Sequence, residues 1–339
     1  AYHQVLAYLA AFLYNWPSNK LIVVGVTGTN GKSTTVNLIA RILEKNGFVT
    51  GVSSTINFKI GENSWLNDTK MTMLGRFGLQ KLLSRMARSG CQYAIIETSS
   101  QGLSQGRHLG VNYDAAVFTN LTPEHLEAHG GFENYKKAKG KLFSHLTKTP
   151  RQRINDKVIK KTIIVNLDDQ YADYFLSFPA DEKWGYSIKS KVKSQKSKVN
   201  IQAKNIQSTP EGISFVIDNT PFNLQLLGEF NIYNSLAAIS VAQSLGVNLK
   251  QSVQALAKVS GVPGRLEIIN EGQNFTVIVD YAPEPTSLIQ SYKVVKGLPH
   301  EKIIHLLGSC GGGRDMARRP ILGQIAAANA DVVIVTNED

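Results

Sequence analysis

The sequence predicts an α/β protein built on a central, mostly parallel sheet flanked by helices. Three observations predict it. Short apolar runs at 21–24, 93–96, 115–118 and 162–166 stand between stretches of helical periodicity, which is how strands buried on both faces read. The first run passes through a glycine-rich turn at 25–31 into Lys32-Ser33-Thr34 and a helix marked by Val36, Leu38, Ile39, Ile42 and Leu43. The segment 184–219, with strand-like alternation at 199–201 and 213–217 around a Lys/Ser/Gln-rich turn, adds a small antiparallel extension.

The stretch LIVVGVTGTNGKSTTVNLIA, residues 21–40, therefore reads as a P-loop-type phosphate cradle. Backbone N–H groups of Gly28, Thr29, Asn30 and Gly31 and the helix N-terminus face an anion, and Lys32 adds a point charge. The hydroxyl of Ser33 or Thr34 is placed to hold Mg²⁺. The strict G-x-x-x-x-G-K-[ST] spacing is not met, because Val26 stands where the first glycine belongs.

Length suggests two or three domains, and the apolar content suits a sizeable core. The formal charge of +11 points to anionic partners, nucleic acid or a phosphorylated small substrate. Much of the excess lies in lysine runs between Lys136 and Lys204 without interleaved aromatics, which reads as a solvated face, so no nucleic-acid partner is expected. Two distant cysteines, Cys91 and Cys310, make no metal spacing and fit a reducing compartment, so a cytoplasmic protein is expected; a monomer is expected as well. The apolar segment before Pro17 lacks a basic flank and a cleavage site, and is shorter than the roughly 20 residues of a membrane span. It is expected as a helix, residues 1–20, packed on the first domain, with peripheral membrane contact as the alternative.

Along the chain, a strand at 48–56, a hairpin at 57–68 and a helix at 79–89 follow the phosphate loop. The run at 93–96 ends in Glu97-Thr98-Ser99-Ser100, and a carboxylate there lies in the crevice where such sheets bind ligands. It is suited to hold Mg²⁺ directly or through water; capping of the next helix is the alternative. His125 and His129 stand four apart after the run at 115–118, and a basic amphipathic helix covers 135–143. Asn231 and Asn234 share a helix face, where paired amides suit an adenine edge or a helix cap.

GVTGTNGKST, ETSSQGL, TNLTPEHLEAHG and YKKAKGKLF, in this order and spacing, resemble the central domain of the Mur ligases, most like the UDP-N-acetylmuramoyl-tripeptide synthetase branch. The resemblance implies ATP and two Mg²⁺ ions as cofactors. It implies an N-carbamoylated Lys139, joined by Glu97 and His125 as ligands of one ion, with Ser33 or Thr34 and Glu97 serving the other. Lys32, Glu97, His125 and Lys139 are the implied catalytic set. The pattern G-x-x-N-x-x-N-x-x-A-A at 228–238 matches the family and assigns Asn231 and Asn234 to adenine. Gly264-Arg265-Leu266-Glu267 completes the family's P-G-R-x-E, and Arg265 and Asp280 are implied to meet the nucleotide from the far side of the cleft. Thr72, Thr98, Ser99, Arg107, Arg314 and Asp315 are implied on the substrate side.

Several positions depart from the family. Pro283 replaces the histidine of D-Y-A-H-x-P, Gln101 replaces that of ETSSH, and Gly313 and Arg318 alter the G-G-D-R-D-x-x-K-R-P loop. About twenty residues precede the phosphate loop, too few for the uridine-nucleotide domain of the branch. The expected domains are thus 21–260, binding ATP, and 261–339, Rossmann-like and incomplete. The implied function is an ATP-dependent amide ligase that joins an amino acid to a UDP-N-acetylmuramoyl-peptide-like carboxylate through an acyl phosphate. A folylpolyglutamate-synthetase-like enzyme is the first alternative, and a nucleotide-binding regulator or RNA-binding protein the second. A four-cysteine zinc site is excluded by the cysteine count.

Overall fold

The computed structural model describes residues 2–124, 126–154, 156–190, 199–308 and 316–336. Its largest sheet runs, edge to edge, Val199–Gln202, Glu182–Ser187, Thr162–Asn166, Ala115–Phe118, Ile22–Thr27, Tyr93–Glu97, Thr50–Ser53, Asn57–Ile60 and Asn63–Leu66. All but the last two strands run parallel to their neighbours; those two form the expected hairpin. The phosphate-loop strand is thus central, between Tyr93–Glu97 and Ala115–Phe118, and the C-terminal ends of these three strands open on one edge. This is the edge at which a parallel sheet collects ligand-binding loops.

Both faces are covered. The helices Lys32–Lys45, Phe230–Ser244 and Leu249–Leu256 pack with Val24, Val26, Ile95 and Val117 on one face. Arg76–Arg88, Phe132–Lys148 and Ala172–Leu176 pack with Val23, Ile96, Ala116 and Phe118 on the other. Alternate residues of each strand therefore feed two separate cores, so the strands read as continuous apolar runs. Gly25 has a packing reason: a Cβ there would lie 2.9 Å from both Leu142 and the Tyr113 ring, so the Phe132–Lys148 helix approaches closely only over glycine.

One expectation is corrected. Strands Glu182–Ser187 and Val199–Gln202, read as part of an antiparallel extension, instead extend the main sheet in parallel. The antiparallel element is the meander Lys204–Thr209, Gly212–Ile217 and Thr220–Leu224. Its second turn is Asp218-Asn219, both at positive φ (44° and 62°), the backbone that two-residue hairpins require. Alternation reports a half-buried strand; it carries no information on the direction of the neighbour.

The Tyr2–Leu13 helix packs as expected, burying Ala7, Ala10 and Ala11. Gly110 lets it settle, since a Cβ there would stand 2.9 Å from the Ala11 methyl. Among the described residues no helix is long and apolar enough to cross a membrane. The last part of the chain pairs Glu267–Ile269 with Val277–Val279 antiparallel and Ile304–Leu307 with Val332–Val335 parallel. Leu288, Tyr292 and Leu322 form a small apolar cluster of its own there.

Beneath the sheet, Asp114 and Lys161 form a buried ion pair at 3.2 Å. Val23 N–H (2.9 Å) and Gln152 Nε2 (2.8 Å) also donate to the carboxylate. Burial nevertheless dominates: desolvation pushes the Asp114 carboxyl up to about 6 and the Lys161 ammonium down. Removing the cation leaves an uncompensated buried charge. Lys161→Met is expected to cost about 3–5 kcal/mol in urea unfolding at pH 8. Lys161 itself lowers the Asp114 carboxyl, so without it the carboxyl rises further and is protonated before the pH has fallen to about 6, and the loss should be smaller at pH 5 than at pH 8. An equal loss at pH 5 and pH 8 would contradict this account of the pair.

Candidate active site

The phosphate loop leaves its strand at Thr27 and enters the Lys32–Lys45 helix. Its glycines answer to space as well as to φ. A Cβ on Gly28 would stand 1.9 Å from Thr119 Oγ1; one on Gly31, at φ +81°, would stand 2.2 Å from Asn234 Oδ1. The segment after strand Ala115–Phe118 grips the loop by hydrogen bonds. Thr29 N–H donates to Asn120 O (2.8 Å), Asn30 N–H to Asn120 Oδ1 (2.9 Å), and Thr119 Oγ1 to Asn30 O (2.7 Å). Thr122 N–H donates to Thr29 Oγ1 (3.0 Å). That segment is itself held from outside: Asn166 Nδ2 donates to Thr119 O (2.8 Å), and Asp169 accepts from Leu121 N–H (2.8 Å). Burial raises the Asp169 carboxyl above its usual range.

Glu97 ends its strand facing the loop, 1 % exposed. It accepts from Ser33 Oγ (2.8 Å), Thr55 N–H (2.8 Å) and Thr55 Oγ1 (3.0 Å). The Thr55 hydroxyl lies 3.0 Å from that of Thr72, which joins the loop carrying Thr72 to the same carboxylate. Lys32 Nζ donates to Thr29 O at 2.6 Å, folded over its own turn.

Lys139 is 2 % exposed. Its Nζ donates to Gly28 O at 2.7 Å and sits 4.3 Å from the centre of the Tyr135 ring. Desolvation first, and then the nearby Lys32 ammonium, push its amine well below the usual lysine range; Glu124 and Glu97 oppose them. The Tyr135 hydroxyl is 3.0 Å from Thr29 Oγ1 and donates to Glu124 Oε2 at 3.4 Å. Helix Phe132–Lys148 is thereby fastened to the phosphate loop at two points.

Other residues named from the sequence fall as follows. Thr98 N–H donates to Val26 O (2.8 Å), and the Ser99 side chain caps the Ser100–Ser104 helix. Arg107 donates to Met73 O and Gln105 Oε1. Asn231 Nδ2 donates to Leu227 O (2.7 Å), and Asn234 Nδ2 to Asn231 Oδ1 (2.8 Å), which leaves Asn234 Oδ1 against Gly31. Arg265 reaches across to Ser33 Oγ at 3.3 Å and lies over the Tyr281 ring at 5.0 Å. Asp280 accepts from Leu266 N–H (3.2 Å) and from Ser291, so it braces the turn that carries Arg265; burial raises its carboxyl above the usual range. His125, Arg314 and Asp315 lie outside the described residues. Among the described residues, no three His, Cys, Asp or Glu side chains stand together as metal ligands. Periodicity gave no sign of Thr55, Asn166 or Asp169, which meet the site only through folding; a hydroxyl after a strand end was the one available hint for Thr55.

A model of the Mur ligase middle domain matches residues 26–242, and one of the Mur ligase glutamate ligase domain matches 264–339. The chain belongs to the Mur ligase family. It is 40 % identical over 347 aligned residues to a UDP-N-acetylmuramyl-tripeptide synthetase of Roseiflexus sp. (strain RS-1), covering 98 % of this chain and 65 % of that protein. It is 37 % identical to a UDP-N-acetylmuramoyl-L-alanyl-D-glutamate–2,6-diaminopimelate ligase of Geobacillus kaustophilus, covering 99 % and 66 %. This Mur ligase chain thus spans slightly less than two thirds of the length of those relatives. A solved 2,6-diaminopimelate ligase of that kind superposes at TM-score 0.68 with 32 % identity, covering 93 % of this chain and 61 % of that one. Folylpolyglutamate synthase of Mycobacterium tuberculosis shares the fold at TM-score 0.75 and 14 % identity, covering 98 % of this chain and 79 % of that one.

Two glycines separate conformational strain from lost space. Gly31→Ala should weaken ATP binding about tenfold or more by displacing Asn234. Gly47→Ala, at φ +84° in open space, should cost about 1 kcal/mol of stability and leave ATP binding as it was. Calorimetric titration of both variants checks this; equal effects on binding would contradict it.

Proposed function

We propose that this chain carries the ATP-handling part of an ADP-forming acid–amino-acid ligase of peptidoglycan synthesis. Its acceptor is a UDP-N-acetylmuramoyl-peptide-like carboxylate, and its second substrate an amino acid. The reading takes residues 21–260 as the ATP-binding unit, 261–339 as the second domain, and the protein as a cytoplasmic monomer. The observation that carries it is the buried Lys139 amine held 2.7 Å from the Gly28 carbonyl beside Lys32.

Burial and Lys32 favour the neutral amine at Lys139, and the neutral amine is the form that attacks carbon dioxide. The product, a carbamate, loses one proton and carries a negative charge. Lys32 and Lys139 beside the loop then form a pair of opposite sign. The residues present fit Mg²⁺, since hydroxyl and carboxylate oxygens meet beside a backbone cradle from which Cβ atoms are excluded. Ser33 or Thr34 with Glu97 would hold one ion, and Glu97, His125 and carbamoylated Lys139 a second. When bound, the metal neutralises phosphate charge.

The chain's own groups do the rest. Thr29 and Asn30 N–H are held by Asn120, which shapes the loop, so the N–H groups of Gly28, Gly31 and the helix N-terminus, with Lys32, orient the ATP phosphates. Asn231 and Asn234 stand on the adenine side, and Asn234 also fixes the position of Gly31. Arg265, reaching Ser33 from the second domain, draws the two halves over the phosphates so that the acceptor carboxylate meets the terminal phosphorus in line. An acyl phosphate forms, the amino-acid amine attacks it, and phosphate leaves. Positioning of this kind can supply about 7–11 kcal/mol of the barrier.

The test is a panel of amino acids with ATP and UDP-muramoyl dipeptide, scored by ADP release and product mass. ADP release should require both acceptor and amine; the same activity on a folate acceptor alone would favour the polyglutamate reading. Lys139→Ala should lower ligation about a hundredfold or more with ATP binding kept, and short carboxylic acids should restore part of it. Full activity in that variant would remove the carbamate from the account. Asn231→Ala with Asn234→Ala should raise KM for ATP about tenfold without changing amino-acid choice; an unchanged KM would argue against adenine contact.

A further inference from the structure

The Tyr2–Leu13 helix is apolar on two opposite faces. Ala7, Ala10 and Ala11 are buried against the protein. Larger side chains face away: Tyr2, Val5, Leu9, Phe12 and Leu13 are between 44 % and 72 % exposed. Tyr2, Val5, Leu9 and Phe12 are spaced three or four apart, so they form one stripe. Trp16 extends it past the helix end, where its ring lies 6.2 Å from that of Tyr8. A helix that only packed on its own domain would turn the large residues inward and leave the small ones outside. Here that order is reversed, and a continuous apolar strip on the surface marks a contact site.

Charge identifies what covers it. The stripe itself holds no Asp, Glu, Lys or Arg. The helix it packs on, Arg76–Arg88, holds Arg76, Lys81, Arg85 and Arg88 and no acidic residue. No Asp or Glu occurs anywhere in residues 1–43 or 69–96. Lys20, Lys81 and Arg88 are exposed, and Arg76 Nε donates to His3 O at 3.0 Å, which ties the two helices together. An apolar stripe thus lies beside a surface of one sign, positive. A second copy meeting this face about a two-fold axis would set the same cations against one another. An anionic bilayer surface suits both features. Leu and Phe side chains enter the boundary between headgroups and acyl chains, Tyr and Trp rings sit at headgroup level, and Lys and Arg meet lipid phosphates. The helix is twelve residues long and too short to cross, so the contact lies in the membrane plane.

We propose that residues 2–16 dock the protein on an anionic lipid surface, with the alanine face held by the protein and the Val5-Leu9-Phe12 face in the lipid. The proposal is independent of the ligase reading above, since none of these side chains belongs to the phosphate site.

The experiment sediments the full chain with vesicles of phosphatidylcholine alone and of phosphatidylcholine mixed with phosphatidylglycerol. The chain should bind the mixed vesicles and leave them at high salt. Leu9→Gln with Phe12→Gln replaces two exposed side chains by good helix formers, and should lower that binding about tenfold or more. Lys81→Gln with Arg88→Gln should also lower it about tenfold or more, by removing two surface charges. If the Leu9/Phe12 variant has a lowered Tm, the native chain decides: brominated acyl chains should quench its tryptophan emission, and Trp16→Phe should remove most of that quenching. No binding to mixed vesicles, full binding by the Leu9/Phe12 variant, or quenching that survives Trp16→Phe would overturn the proposal. Self-association of the native chain that the Leu9/Phe12 variant abolishes would assign the face to a second copy and overturn it too.

Discussion

Residues 28–31 are enclosed so tightly that neither glycine can carry a Cβ: Thr119 Oγ1 occupies that space at one end and Asn234 Oδ1 at the other. The remaining features of the site follow from this enclosure. A loop gripped from both sides, with Thr29 and Asn30 N–H spent on Asn120, keeps its backbone course before any ligand arrives, so little reorganisation is needed when an anion binds. The grip comes from elements far apart in sequence. The segment 119–122 follows one neighbouring strand, Glu97 ends the other, and Asn234 belongs to the Phe230–Ser244 helix. The parallel sheet is what brings them to one edge.

Lys139 belongs to the same arrangement from beneath. Gly25 has no side chain, so the Phe132–Lys148 helix lies close enough for Nζ to reach the Gly28 carbonyl. Tyr135, one turn earlier, holds Thr29 and supplies the ring beside Nζ. A buried amine next to a second ammonium is costly as a cation, and that cost favours its neutral form. Arg265 then adds a contact from the second half of the chain, at Ser33.

Much of this was legible beforehand, where local pattern and short motifs decide the structure. Strands Ala115–Phe118 and Thr162–Asn166 match their apolar runs end to end. Glu97 was expected at its strand end, and Lys139 on its helix, from residues within a few positions of each. Contacts across distance were not legible. Asp169 holds Leu121 from 48 positions away, and Thr55 meets Glu97 from 42; neither leaves a trace in periodicity. The parallel placement of Glu182–Ser187 was missed for a different reason: a two-residue period reports burial of one face and is silent on neighbour direction.

In the proposed reaction the phosphate loop delivers phosphorus to a carboxylate. Isotope transfer tests it most directly. An acceptor labelled with ¹⁸O in its reacting carboxylate, incubated with ATP and the amino acid, should release phosphate carrying one ¹⁸O atom, visible as an upfield-shifted line in the ³¹P spectrum. Phosphate released without the label, alongside amide product, would show that the carboxylate never bonded to phosphorus and would contradict the account.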